Sequence, residues 1–228
     1  MSNYNMKQWV ADMVGSHAKK PMPILSFPSV SLLGVTVKEM ISSSDLQARG
    51  MQAVAQRTPA LASVSFMDLS VEAECFGSVV TVSDDEVPTI EEPIITDENA
   101  AEALVGPKIG SGRTQIYLDA IKKAKEYITD RPVLAGMIGP YSLAARLFDL
   151  SEIMVNCYDD PDMVHTVLEK CTAFLLAYAK AYREAGADGI VMAEPVAGLL
   201  SPSLEEEFSA PYVKQIVDAV QDDRFVVI

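Results

Sequence analysis

The sequence predicts an α/β fold built on a parallel sheet, and three observations carry that prediction. Apolar β-type runs alternate with helical patterns along the 228 residues. The strand candidates are apolar almost throughout rather than alternating, which marks strands covered on both faces. Hydrophobic residues make up 49% of the chain against 22% charged, a balance that folds and can fill a sizeable core. At roughly 150 residues per domain the length allows one large or two small domains, and residues 1–228 are expected to form one.

Five stretches have strand character: 23–27 (PILSF), 62–69 (ASVSFMDL), 132–138 (PVLAGMI), 188–193 (DGIVMA) and 224–228 (RFVVI). They are expected to lie side by side, parallel, in that order. Between the first two, Thr36-x-x-Glu39 and Ser44-x-x-Gln47 have capping-box spacing. The second box opens a helix over about 45–57, with Leu46, Gly50, Met51 and Val54 near one face and Pro59 as the stop. Residues 77–98, with the acidic turn Asp84-Asp85-Glu86, read as an inserted hairpin or loop.

Helices follow at about 113–129 and 142–148. The next is the best defined. Asp160 suits an N-cap, Pro161 the first turn, and Gly186 the left-handed position past the end. Between them Met163, Val167, Leu168, Cys171, Phe174, Leu175 and Tyr178 recur every three or four residues. Ser203-x-x-Glu206 opens a last helix that runs to about Val220, kinked or split at Pro211. As the last strand of a complete sheet, the apolar run 224–228 would be an unprotected edge, so the polypeptide is expected to continue past Ile228. Five strands fit a doubly wound sheet or an incomplete barrel. No Gly-x-Gly-x-x-Gly follows the first strand, and Gly110-Ser-Gly112 follows no strand at all.

Composition excludes several functions. With 18 basic and 32 acidic side chains the formal charge is −14, which opposes nucleic-acid binding through a general field. No apolar run approaches the ~18 residues of a membrane span. Cys75, Cys157 and Cys171 are three widely spaced thiols without a Cys-x-x-Cys pair, which suggests neither a disulfide framework nor a zinc knuckle. With no signal-peptide core near the start, a cytoplasmic location is expected.

Parallel α/β folds place their sites at the C-terminal ends of the strands. Asp68 and Glu194 each follow an apolar run where a strand should stop, and are the candidate catalytic pair of carboxylates. Their plainer roles would be a helix cap for Asp68 and a hydrogen bond to loop backbone for Glu194. Glu72 and Glu74 are two apart and cannot share a helix face, so one at most faces the site; Glu72 is preferred. Tyr141 and Ser142 after the third strand, Met67, and Phe27 after the first strand complete the candidate substrate-binding set. His17 and His165 support no nucleophile–histidine pairing.

These segments in order resemble the uroporphyrinogen decarboxylase superfamily, and within it the corrinoid-dependent methyltransferase branch of the methylcobamide:coenzyme M methyltransferase type. The matching stretches are 23–28 (PILSFP), 67–77 (MDLSVEAECFG), 139–144 (GPYSLA), 186–195 (GADGIVMAEP) and 199–202 (LLSP). The resemblance implies a (β/α)8 TIM barrel, of which this chain would be the first two-thirds, ending after the fifth strand. It implies methyl transfer between a methylated corrinoid on a partner protein and a thiol activated by zinc, with zinc ligands expected beyond Ile228 and none within the chain. Glu194 and Asp68 would line the mouth, Tyr141 and Ser142 would shape the pocket, and Met67 and Phe27 would form its apolar walls. The decarboxylase branch, acting on a tetrapyrrole octacarboxylate, is the alternative. Its anchoring arginines would fall at Pro28 and Leu32, and its tyrosine after the third strand at Arg146; residues 21–35 hold no Arg or Lys. A further alternative is a barrel fragment that acts only by association, and self-association of the chain is expected from its open strand edges.

Overall fold

The computed structural model describes residues 4–25 and 27–228. In chain order its strands are β1 (Ser63–Val64), β2 (Val80–Thr81), β3 (Thr89–Ile90), β4 (Val133–Ile138), β5 (Gly189–Ala193) and β6 (Val226–Val227). Its α-helices are α1 (Met6–Gly15), α2 (Ser29–Leu33), α3 (Val37–Ile41), α4 (Ser44–Arg57), α5 (Val71–Cys75), α6 (Glu98–Ala103) and α7 (Thr114–Tyr127), then α8 (Pro140–Phe148), α9 (Leu150–Asp159), α10 (Pro161–Glu184), α11 (Pro202–Phe208) and α12 (Ala210–Val220).

The main sheet has the order β1-β4-β5-β6. Every pairing in it is parallel, with Ser63 opposite Val133, Leu134 opposite Gly189, and Gly189 opposite Val226. Four of the five expected strands are therefore present, adjacent and in the expected order. The stretch 23–27 is the exception. Residues 23–25 and Phe27 are not in a strand, and Ser26 lies outside the described residues. Prolines at 21, 23 and 28 remove ladder donors from this segment, which limits regular pairing. The backbone still passes beside the sheet, where Leu61 N donates to Pro21 O at 2.9 Å.

The strand expected over 62–69 is also shorter than its apolar run. After Ser65 N donates to Leu134 O, the Ser65 hydroxyl takes the Gly136 N–H at 2.8 Å, and the chain leaves the sheet toward α5. At the opposite end of the sheet Asp188 holds two elements. Its buried carboxylate accepts from Val133 N at 2.8 Å and from Lys125 of α7 at 2.7 Å. The insertion is the antiparallel hairpin β2–β3, as expected.

Most helix boundaries follow from side-chain caps. Thr36 makes a complete capping box with Glu39, and the Asp160 side chain accepts from Met163 N. Gly186 sits at φ +100°, a conformation that Gly adopts without the steric cost of a Cβ. Two caps fall earlier than the spacing suggested: Ser43 rather than Ser44 caps α4, and Ser201 rather than Ser203 caps α11. The last helix breaks at Ser209 rather than at Pro211. Pro211 occupies the first turn of α12, where its missing N–H costs nothing.

The core lies between the sheet and its helices. All seven apolar positions expected on α10 are buried, together with Tyr182. Each fully buried side chain of that size contributes roughly 1.5–3 kcal/mol. A second, smaller cluster forms where Met6 of α1 packs with Ala62, Leu134 and Val226. There Met6 N donates to Asp223 O at 2.7 Å, which ties α1 to the segment leading into β6. No helix among the described residues is long and apolar enough to cross a membrane.

Candidate functional site

Polar side chains gather at the C-terminal ends of β1, β4 and β5, in two networks. The first centres on Asp68, whose side chain is fully buried. Its Oδ1 accepts from Ser70 N at 3.0 Å and from the Ser70 hydroxyl at 2.6 Å. Its Oδ2 accepts from the Tyr117 hydroxyl at 3.1 Å and from Arg113 Nη1. The same guanidinium reaches Glu74 Oε2 at 2.6 Å and Ser70 Oγ at 2.8 Å. Burial works against the charge on Arg113, but Asp68, Tyr117 and Glu74 outweigh it and hold its pKa above the usual value. Burial and then Asp68 likewise raise Tyr117. The result is a closed ion-pair cluster that joins α5 to the start of α7, with every acceptor position of Asp68 in use.

Glu72 lies beside this cluster, in the first turn of α5 and 2% exposed. Its Oε1 accepts from Ile138 N at the end of β4, 3.2 Å away. Its Oε2 is buried without a partner. Burial pushes its pKa up to about 7; the Ile138 hydrogen bond pulls against this, Asp68 adds to it, and Arg146 opposes it weakly. A carboxyl in that condition is about half protonated near neutrality.

The second network belongs to Glu194, which follows β5. Its two oxygens accept from Tyr141 N at 2.6 Å and Ser142 N at 2.8 Å, at the N-terminus of α8. A carboxylate there meets free N–H groups and the positive end of the helix dipole. Burial raises its pKa, and the bonds to Ser142 and Tyr141 oppose the rise. The contact depends on Gly139, since a Cβ at that position would stand 2.5 Å from Glu194 Cδ. The Ser142 hydroxyl accepts from Val196 N at 3.1 Å, so α8 and the loop after β5 are joined twice.

The remaining candidates sit around these networks. Tyr141 is buried, with its hydroxyl 3.5 Å from Cys157 Sγ. Phe27 is half-buried, its ring centroid 4.3 Å from that of Phe66. Met67 is half-buried and lies against Gly136 of β4. The structure thus gathers Asp68 with Glu72, and Glu194 with Tyr141 and Ser142. The two groups use separate hydrogen-bond partners.

Sequence reasoning missed Arg113, Tyr117 and Arg146. Arg113 carried a readable signal. A basic residue at a helix N-terminus is electrostatically unfavourable, so one placed there calls for a buried acid nearby. Among the described residues no group of three or more His, Cys, Asp and Glu side chains could hold a metal ion, and all three cysteines are free.

Comparison with known proteins gives this geometry its context. A family model described as uroporphyrinogen decarboxylase matches residues 29–228. The methylcobamide:CoM methyltransferase MtbA of Methanosarcina acetivorans is 33% identical over 159 residues, which are 68% of this chain and 47% of that protein. The uroporphyrinogen decarboxylase of Flavobacterium johnsoniae is 30% identical over 170 residues, 71% of this chain and 49% of that protein. The chain spans about half the length of these curated relatives. A solved structure described as a methyltransferase from Methanosarcina mazei superposes with a TM-score of 0.84 at 24% identity, over 99% of this chain and 69% of that one, and shares the fold. The two enzyme types meet in one family, and the chain belongs to it: the uroporphyrinogen decarboxylase family.

Proposed function

We propose that the chain serves methyl transfer between a methylated corrinoid, carried by a partner protein, and a small thiol or similar acceptor. Its four parallel strands would be part of a (β/α)8 barrel whose mouth holds the reaction. The observation that carries this choice over decarboxylation is the charge around α2. Residues 21–35 contain no Arg or Lys. An octacarboxylate needs cationic anchors there, and each unpaired carboxylate taken out of water costs several kcal/mol. The 33% identity to MtbA over 68% of the chain favours the same reading.

In this proposal Asp68 and Glu194 act by positioning. Asp68, through Arg113, fixes the start of α5 relative to α7. Glu194 fixes the first turn of α8, so that Tyr141 and Ser142 are presented in one geometry. Phe27 and Met67 supply apolar wall, and Glu72 stands behind it as a group able to hold a proton. Zinc does not fit the described residues, which assemble no ligand set. The chain alone is expected to bind zinc weakly or not at all. Stoichiometric tight zinc in a tag-free sample, measured by elemental analysis, would contradict this.

The test of function is direct. The purified chain is incubated with methylcobalamin and a series of small thiols, and demethylation is followed by visible absorbance. In parallel it is offered uroporphyrinogen and assayed for CO2. Thiol-dependent demethylation above the protein-free rate supports the proposal. CO2 release without demethylation would establish the decarboxylase instead, and inactivity in both assays would refute the reading that this chain by itself carries out either reaction.

A further inference from the structure

We infer that Glu72 and Arg146 form a proton-controlled latch between α5 and α8. Protonated, Glu72 holds only the end of β4; ionised, it turns its free oxygen to the Arg146 guanidinium and ties the two helices together. The latch goes beyond the methyl-transfer reading and does not depend on it. Two groups taken out of water are left half used. Glu72 is 2% exposed; its Oε1 accepts from Ile138 N, and its Oε2 has no partner. Arg146 is half-buried and makes no hydrogen bond and no ion pair with any described residue. The other two half-buried arginines are both satisfied, Arg113 by Asp68 and Glu74, and Arg131 by Asp130 and Thr58 O.

The fold brings the two groups together. Helix α5 packs against α8. Ile138, which Glu72 already touches, stands just before Pro140, where α8 begins, and Arg146 follows in the second turn of that helix. The charge of each group reaches the other.

The surroundings of Glu72 leave it one free cation. Its neighbours in the chain are Asp68, Glu74 and Cys75; α7 contributes Arg113 and Tyr117, α8 contributes Arg146, and α10 contributes Tyr178 and Tyr182. Arg113 is already committed to Asp68 and Glu74. The void that Glu72 borders with Tyr117, Tyr178 and Tyr182 has no room for a water molecule. An ionised carboxylate there cannot be hydrated in place, so it needs a charge-assisted partner, and the planar fork of Arg146 supplies one. Burial holds the pKa of Glu72 at about 7, so the latch is open below that value and closed above it. Closure joins the Asp68 network at α5 to the Glu194 network at α8, which use separate partners when it is open.

The experiment is a double-mutant cycle on the chain. Urea unfolding is measured for wild type, Glu72→Gln, Arg146→Gln and the double variant, at pH 5.5 and pH 8.5. At pH 8.5 Arg146→Gln should raise the unfolding constant about tenfold more in the wild-type background than in the Glu72→Gln background, the effect of one charge-assisted hydrogen bond. At pH 5.5 the two effects should agree within about twofold, the usual additivity of unlinked sites. Absence of coupling at pH 8.5 would overturn the inference. Coupling of equal size at both pH values would overturn it too, since no proton would then control the contact. If a variant loses its cooperative melt, the wild type decides by nuclear magnetic resonance. The Arg146 Nε–H signal, assigned by correlation to its own backbone, should move between pH 5.5 and pH 8.5 with the same midpoint as the Glu72 carboxyl carbon. An Arg146 signal that stays still across that range would refute the latch.

Discussion

At the scale of single residues, Glu72 makes the sharpest prediction about stability. Its pKa is about 7 in the folded chain against 4.5 as the ordinary value, with burial as the main cause. The folded state therefore binds this proton more tightly than the unfolded state. Stability falls as pH rises from about 4.5 to about 7, and the loss is complete above that window. A shift of that size corresponds to about 3–4 kcal/mol. Glu72→Gln should abolish this component, so the gap in Tm between pH 5 and pH 8 should narrow relative to wild type; an unchanged gap would show that Glu72 is ionised throughout. Asp68, Glu72 and Glu194 were readable in the sequence, because each follows an apolar run at the end of a strand or in the turn just after it. Their partners were not. Arg113 lies 45 residues beyond Asp68, and Tyr141 lies 53 residues before Glu194. Such pairings depend on which helices the crossovers bring together.

Among elements, legibility followed the local signals. Helix α10 was readable because cap, first-turn proline, terminal glycine and apolar spacing all agree. Helix α9 was not, since it begins at Asp149 with φ +106°, an unusual conformation for a non-glycine residue that no spacing rule anticipates. The order of the parallel strands was readable, while the lengths of β1 and β6 were not, because an apolar run does not show where ladder pairing stops. The join between β5 and β6 carries its own prediction. A Cβ on Gly189 would lie 2.4 Å from Val226 O and 2.6 Å from Val226 Cγ1. Backbone cannot move aside there without breaking the ladder, so Gly189→Ala should cost about 1–3 kcal/mol, the range for overpacking. A urea melt would measure it, and a variant as stable as wild type would mean that β6 tolerates displacement.

The whole molecule presents a parallel sheet with β1 and β6 at its two edges among the described residues. Beside β6 an open groove is lined by Val10, Met13, Val226, Val227 and Ile228. Unpaired strand edges with apolar surroundings favour association. Light scattering on the purified 228-residue chain should find dimers or larger species, and a monodisperse 24.7 kDa monomer with a cooperative melt would refute this. The hydrogen bond from Met6 to Asp223 has a consequence for biosynthesis. It joins positions 223 − 6 = 217 residues apart. During translation at about 5–20 residues per second, α1 waits roughly 10–40 s before its anchor leaves the ribosome. Over that interval Met6, Trp9 and Val10 are without the Val226 side of their cluster, so α1 completes its packing only once synthesis has passed β6.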